Sequence, residues 1–380
     1  MIVDLQSYVP VLRLKLGEYL AVTELDAPVA QRVLPHFVLP STKERDPEKG
    51  RLLTKAEIIQ ENARRVGKHW PLRPCIVDPR FVRFDDVEQT CAGLLELFQA
   101  TAYAHVNALP TFSLEDLEGP MSGAASTVIQ NLAHGLALRV TLRALGDPGL
   151  TTRLHRILLK IGLKPQNCIL ILDLAGADLD DPLTVGEWVA DNYQSIMEVG
   201  LWERVVVEAT NYPERNPAAQ GSTSRTPRHE WTMWKAAVGE DPILRQNLIF
   251  GDFGADSAKF NFKKHSAPAI RHYRYSTPED FLVVRGKTGE TIAEAMPRLA
   301  REIIDSGSFA GQDFSRADRE LWDVAQGHHG PGNASIWRKI NMGHHLARVV
   351  SDIGSLRGYE IRALTTRTTQ IQSDLFIARS

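Results

Sequence analysis

CILILDL at residues 168–174 and RVVVEAT at residues 204–210 are the two stretches that decide the fold class. Both are apolar and β-branched without polar alternation, which is typical of parallel strands that are buried on both faces of a sheet. Similar runs recur along the first two thirds of the chain. The predicted strands are residues 9–14, 33–39, 74–77, 105–109, 136–142, 168–174, 204–209 and 248–253.

The stretches between these strands carry apolar residues at helical spacing, as Leu154, Ile157 and Ile161 do. Strands separated by crossover helices favour an α/β fold, here a (β/α)8 TIM-like barrel. An open Rossmann sheet is the alternative, but no GxGxxG follows an early strand, so we expect no NAD. The predicted helices are residues 55–69, 85–102, 151–161, 187–199 and 230–238.

The pattern changes after residue 255. We therefore expect a barrel over residues 1–255 and a C-terminal α+β extension, residues 256–380, packed on it. A Pro-, Gly- and Ser-rich segment, residues 211–228, follows a strand and is predicted to be a loop at the barrel mouth. The extension is predicted to contain strands 270–275 and 281–284 and helices 291–305 and 333–353.

Composition limits the classes of partner and cofactor. The net charge of -2 argues against generic polyanion binding, although a local basic groove is compatible with it. The three cysteines are far apart and form no CxxC pair, so we expect neither a structural zinc site nor haem. No long apolar window or signal-peptide pattern is visible, which predicts a cytoplasmic protein without a membrane partner.

Four acids end predicted strands: Asp78, Asp173, Glu208 and Asp252. The carboxyl ends of barrel strands converge at one mouth, so we expect these acids to form a catalytic cluster. Converging carboxylates repel, and oxygen ligands favour magnesium or manganese, which we expect Asp173, Glu208 and Asp252 to bind. The alternative is that each acid caps a helix or pairs with an arginine.

Three charged residues lie near the same predicted mouth. Arg139 is inside the strand LALRVTL and needs a buried partner, for which Asp173 or Asp78 is the natural candidate, or it binds an anionic substrate. Lys15 and Glu18 follow the first strand, and a solvated loop is the alternative for both.

The last predicted helix has one mixed polar face. Trp337, Asn341, His344 and Arg348 follow one another at helical spacing. The alternative to a functional face is a hydrogen-bonded helix that docks on the barrel. This helix contains no HExxH motif and has no cysteine nearby, so the sequence gives little support for a zinc site here.

Three stretches are similar to the bacteriophage-type beta-protein family. They are YVPVLRLKLGEYLAV with VLPHFVLP (residues 8–22 and 33–40), HYRYSTPEDFLVVRG (272–286) and SIWRKINMGHHLARV (335–349). The resemblance implies a role in phage–host conflict or anti-phage defence, with a phage component or a co-encoded defence protein as partner, but no particular reaction. It also implies functional roles for Lys15, Glu18, Arg285, Trp337, His344 and His345.

These observations lead to two functional hypotheses. The first is a metal-assisted phosphodiesterase or nuclease-like hydrolase of nucleotide or nucleic acid, with the four acids and His344 as catalytic residues. The second is a non-catalytic sensor or scaffold that contacts its partner through residues 211–228 and the Trp337 face. The expected substrate-binding residues are Lys15, Glu18, Arg139, Arg285, Trp337 and His345.

Overall fold

A computed structural model describes residues 7–46, 48–132, 135–259 and 270–361. Eight parallel strands close into a barrel of order β1-β2-β3-β4-β5-β6-β7-β9, as the sequence predicts. The strands are β1 Tyr8–Arg13, β2 His36–Val38, β3 Pro74–Asp78, β4 Asn107–Ser113, β5 Leu136–Thr141, β6 Cys168–Asp173, β7 Arg204–Ala209, β8 Thr223–Pro227, β9 Leu248–Asp252, β10 His272–Ser276 and β11 Asp280–Arg285.

Helices lie between the barrel strands and in the extension. No helix in the described ranges is long and apolar enough to span a bilayer. The helices are α1 Leu16–Thr23, α2 Ala27–Ala30, α3 Lys55–His69, α4 Val87–Tyr103, α5 Leu114–Glu118, α6 Ser122–Leu132, α7 Leu142–Leu145, α8 Leu150–Ile161, α9 Pro182–Met197, α10 His229–Val238, α11 Pro242–Asn247, α12 Ile292–Asp305, α13 Arg316–Gln326 and α14 Ala334–Leu356.

Local signals explain where these elements begin. The Thr54 hydroxyl accepts a hydrogen bond from the backbone N–H of Glu57 and forms a capping box with it, which starts α3. Helix α9 begins five residues earlier than predicted, because the Asp181 carboxylate caps it and Pro182 occupies its first position. Strand β4 begins two residues later than predicted, since His105 has a left-handed φ of 56° in the preceding turn.

The barrel strands lack polar alternation because both of their faces pack against apolar layers. One face of the strands fills the barrel interior, with Val9, Ile171 and Ile249 among its residues. The other face packs on the surrounding helices, as Phe250 does against Trp231. Each strand residue therefore points either into the barrel or towards the helices, and this alternation decides which polar residues can meet.

The C-terminal sheet has the order β10-β11-β8 and is antiparallel. The predicted strand pair and the predicted helices α12 and α14 are present, and α13 lies between them unpredicted. Residues 223–227, predicted as part of a loop, form β8 at the edge of this sheet. The extension therefore includes one strand that precedes residue 255, and its residues 260–269 and 362–380 lie outside the described residues.

Candidate functional site at the barrel mouth

Several charged side chains point into the barrel near its mouth. Asp78, Asp173 and Glu208 each lie two residues after a member of the interior apolar layer, so strand alternation directs them inward. Arg139 on β5 points the same way. A further inward residue, His36 on β2, was not predicted. We call these five residues, together with Arg80, the charged layer.

His36 lies between two carboxylates inside the barrel. Its Nδ1 is 2.7 Å from Oε1 of Glu208, and its Nε2 is 3.3 Å from Oδ2 of Asp78. Burial opposes protonation of the imidazole, but Glu208 and Asp78 outweigh that effect and raise the pKa of His36. The charged form of the ring is therefore favoured where it bridges the two acids.

Two arginines neutralise the rest of the charged layer. Arg139 places Nη1 3.0 Å from Oδ2 of Asp173 and Nε 3.6 Å from Oδ2 of Asp78, which are the partners expected for it. Arg80 donates from Nε to Asp78 over 2.7 Å. Burial would raise the pKa of Asp78, but Arg80 and His36 hold it well below its usual range. Three acids thus face three basic side chains.

Asp252 does not join this layer. It lies on the outer face of β9 with Phe250 and accepts hydrogen bonds from the Tyr8 hydroxyl (2.5 Å) and from Nε2 of His345 (2.8 Å). The predicted convergence of four acids is wrong for Asp252, because strand alternation turns it away from the barrel interior. Within the described ranges, no group of three His, Cys, Asp or Glu residues could hold a metal ion.

Asp252 is part of a buried polar contact between the barrel and the extension. Nδ1 of His345 lies 2.7 Å from the Ser276 hydroxyl, which gives a Ser–His–Asp series. All three residues are fully buried, and the serine meets Nδ1 where a hydrolase triad would use Nε2. The series therefore lacks access for substrate and joins α14 to β9 and β10.

The side chains of His344 and Trp337 also make hydrogen bonds that stabilise the fold. The ring nitrogens of His344 contact Asp318 at 3.0 Å and the carbonyl of Ser276 at 2.7 Å, so the predicted general acid has both positions engaged. Trp337 is only 3% exposed and donates its indole N–H to the carbonyl of Pro331. The predicted Trp337 face is therefore largely buried, as the docked-helix alternative requires.

Two other expected substrate-binding residues lie apart from the charged layer. Lys15 pairs with Glu44 on the loop after β2. Arg285 donates to the carbonyl of Ala218 at 2.9 Å, which ties β11 to the segment before β8. The structure does not bring either side chain to the barrel acids.

A pocket of about 270 Å³ lies between the loop after β9, strand β10 and the start of α14. Its polar lining residues all follow residue 255, and its remaining described lining is apolar. The polar residues are Asp256, His272, Arg274, Arg338 and Asn341. We call this the Asp256 pocket.

Asp256 contacts three guanidinium groups. Nη1 of Arg13 and Nη1 of Arg338 each lie 2.8 Å from its Oδ2, and Nη1 of Arg274 lies 2.9 Å from Oδ1. Burial would raise the pKa of Asp256, but the arginines hold it well below its usual range. Glu18 accepts from Arg338 at 2.9 Å and from the backbone N–H of Arg13. Three arginines against two carboxylates leave one positive charge in excess among the described side chains of this cluster.

Arg274 is held in a single orientation. Its Nε donates to Nε2 of His272 (3.0 Å), its Nη1 donates to the carbonyl of Ala255 (2.7 Å), and its guanidinium lies 4.6 Å from the ring centroid of Tyr212. Nδ1 of His272 is 2.8 Å from the carbonyl of Ile270 and so carries the ring proton. Burial lowers the pKa of His272 to about 4, which keeps the ring neutral near pH 7.

Two of the expected substrate-binding residues lie at this pocket. Trp337 lines it and Glu18 positions Arg338, and both were expected to be functional. Asp256, Arg274 and Arg338 were missed, although Arg274 and Arg338 lie inside the quoted stretches HYRYS and SIWRK. The available signal was an arginine in each of two stretches that carry the family resemblance.

Comparisons with solved structures give remote likenesses. The arginine decarboxylase of Paramecium bursaria Chlorella virus, bound to agmatine, has 10% identity and a TM-score of 0.34, with 71% of this chain and 63% of that chain covered. Alanine racemase of Clostridium difficile 630, in complex with cycloserine, has 10% identity and a TM-score of 0.34, with 72% and 61% covered. The chain spans less than two thirds of both proteins, and such scores support no inference about its site.

No curated protein matches the chain. A protein-family model, by contrast, matches residues 8–351, which include both the barrel and most of α14. Each of the three stretches quoted from the sequence lies within these residues. The chain belongs to the Beta protein family.

Proposed function

We propose that this protein recognises a phosphate-bearing ligand at the Asp256 pocket and acts as a non-catalytic sensor in anti-phage defence. The observation that carries the proposal is that Asp256 fixes Arg274 and Arg338 beside a pocket with one positive charge in excess. The role in phage–host conflict rests on membership of the Beta protein family.

The arrangement suits an oxyanion. Guanidinium groups bind phosphate oxygens in a planar, two-point geometry that lysine does not reproduce. Glu18 and Asp256 both contact Nη1 of Arg338, and no described residue accepts a hydrogen bond from its Nη2. Because Arg274 is already held by His272 and Tyr212, it loses little side-chain entropy on binding, a saving of about 0.5–1.5 kcal/mol.

The hydrolase hypothesis has less support from the geometry. Asp78, Asp173 and Glu208 each contact a basic side chain, so a magnesium or manganese ion would have to replace those contacts. Metal binding and hydrolysis of nucleotide or nucleic acid stay predictions. A phage component or a co-encoded defence protein also stays a prediction, as the source of the ligand or as a partner of the sensor.

Calorimetric titration of the full chain with inorganic phosphate and pyrophosphate tests the proposal. We expect saturable binding that falls at least about tenfold in Arg338→Ala, a loss of about 1.4 kcal/mol. Arg319→Ala is the matched control, since Arg319 is an exposed arginine that pairs with Asp313 on the preceding loop. Equal affinity in Arg338→Ala and in the unmodified chain would contradict the proposal.

A further inference from the structure

We propose that the Asp256 pocket binds one mononucleotide through its phosphate group and does not bind a nucleic-acid strand. The inference rests on the proposed function and names the substrate class of the same site. It is supported by the apolar lining of the pocket, by a hydrogen-bond donor in that lining, and by the size and charge of the pocket.

The lining beside the arginines suits a planar ring. Ala255 and Ala334 are small, and Met342 and Trp337 contribute a thioether and an indole. The indole N–H of Trp337 already donates to the carbonyl of Pro331, so the indole adds no free donor to this lining. Aromatic and thioether groups pack well against planar rings, and a base has two such faces. Inorganic phosphate would leave this surface uncovered.

Asn341 adds a directional contact. Its Oδ1 accepts the backbone N–H of Arg274 at 3.2 Å, which fixes the orientation of the amide. No described residue accepts a hydrogen bond from the Nδ2 group of the same side chain, which therefore remains as a donor at the pocket lining. A carbonyl or ring nitrogen of a base, or a ribose hydroxyl, is a suitable acceptor for it.

The size and charge of the pocket argue against the binding of a nucleic-acid strand. A volume of about 270 Å³ is close to the lower end of small-molecule sites, about 300 Å³. Strand-binding proteins instead use an extended basic groove that contacts several phosphates in succession. The pocket has one positive charge in excess, and the whole chain carries a net charge of -2. One phosphate group, which carries a charge of about −1.5 to −2 near pH 7, is closer to this balance than the successive phosphates of a nucleic-acid strand.

The test compares four probes by calorimetry on the full chain: inorganic phosphate, the common nucleoside monophosphates, the corresponding nucleosides and a single-stranded oligonucleotide without terminal phosphates. We expect at least one nucleoside monophosphate to bind roughly tenfold more tightly than phosphate, its nucleoside and the oligonucleotide. Equal affinity for phosphate and every nucleoside monophosphate would overturn the inference and leave the proposed function standing. Tighter binding of the oligonucleotide would also overturn it, whereas absence of binding by every probe would overturn the proposed function.

Ala334→Leu provides a second, independent readout. Ala334 is the first residue of α14 and is exposed, so a larger side chain there narrows the pocket without entering the core. We expect it to weaken nucleotide binding at least about tenfold and to reduce the phosphate affinity much less. Ala293→Leu, at an exposed position in the first turn of α12, is the matched control. A parallel loss of both affinities in Ala334→Leu would contradict the assignment of the base to this part of the pocket.

Discussion

The charged layer inside the barrel and the Asp256 pocket beside it are built from similar residues, but they differ in the number of acidic side chains relative to basic ones. In the charged layer, three acids face His36, Arg80 and Arg139, and the group is largely buried. In the Asp256 pocket, three arginines face two acids next to a cavity. A balanced buried network satisfies its own charges, whereas an unbalanced one next to a cavity still attracts an anion.

The difference predicts opposite responses to substitution. Removing one member of the charged layer leaves buried charges without a partner, which acts mainly on the free energy of unfolding. Removing one member of the pocket changes its excess charge and acts mainly on ligand affinity. Stability and affinity measured on the same variants therefore separate the two clusters.

The largest expected effect is that of His36→Ala. The substitution leaves Glu208 and Asp78 buried without the cation between them, and breaking such a pair costs about 3–5 kcal/mol of the free energy of unfolding. Urea denaturation measures the loss. His328→Ala is the control, because the His328 side chain is 68% exposed. A loss below about 1 kcal/mol in His36→Ala would mean that the charged layer relaxes or takes up water.

The charged layer should also give the protein a pH dependence. Because the folded-state pKa of His36 is raised above its unfolded value of about 6.5, its stabilisation is fully present below that pH and is lost as the pH rises through the folded-state pKa. The groups that face the ring are Glu208 and Asp78. The slope cannot exceed about 1.4 kcal/mol per pH unit for one proton.

Denaturation of the unmodified chain and of His36→Gln across this pH range checks the prediction. Glu230, whose pKa burial raises to about 7, titrates in both proteins, so the difference between them isolates His36. A difference that stays constant above pH 6.5 would show that the ring does not lose a proton there.

The fold could be predicted from the sequence more fully than the site. Strands such as residues 168–174 are apolar on both faces, which identifies them as central parallel strands. The same property hides the direction of each side chain, because no polar alternation marks the inward face. Glu208 and Asp252 look alike in the sequence, yet the first points into the barrel and the second towards α14.

The residues that were missed depend on contacts between distant parts of the chain. His36 meets Glu208 across the barrel, 172 positions away. Asp256 gathers arginines from β1, β10 and α14. Local pattern fixes the helices and strands that carry these residues, but only the packing of the extension on the barrel brings them together.

A smaller effect on stability is expected for Asp256→Asn. The amide keeps one hydrogen-bond acceptor for the arginines, and the pocket gains one further positive charge. We expect a loss of about 1–2 kcal/mol in the free energy of unfolding and a several-fold increase in pyrophosphate affinity. Asp313→Asn, at an exposed pair with Arg319, is the control. A fall in affinity would mean that positioning the arginines outweighs their excess charge.

The smallest effect is expected from metal ions at the charged layer. Each carboxylate there already contacts a basic side chain, so magnesium or manganese should give no saturable heat on titration of the full chain. Asp173→Ala is titrated alongside, because Asp173 is the acid of this layer whose described basic partners are both arginines. Saturable binding to the unmodified chain that disappears in Asp173→Ala would show that a cation can replace the arginines. The charged layer would then bind a cation while the Asp256 pocket binds an anion. The hydrolase hypothesis would in that case have the metal site that it requires.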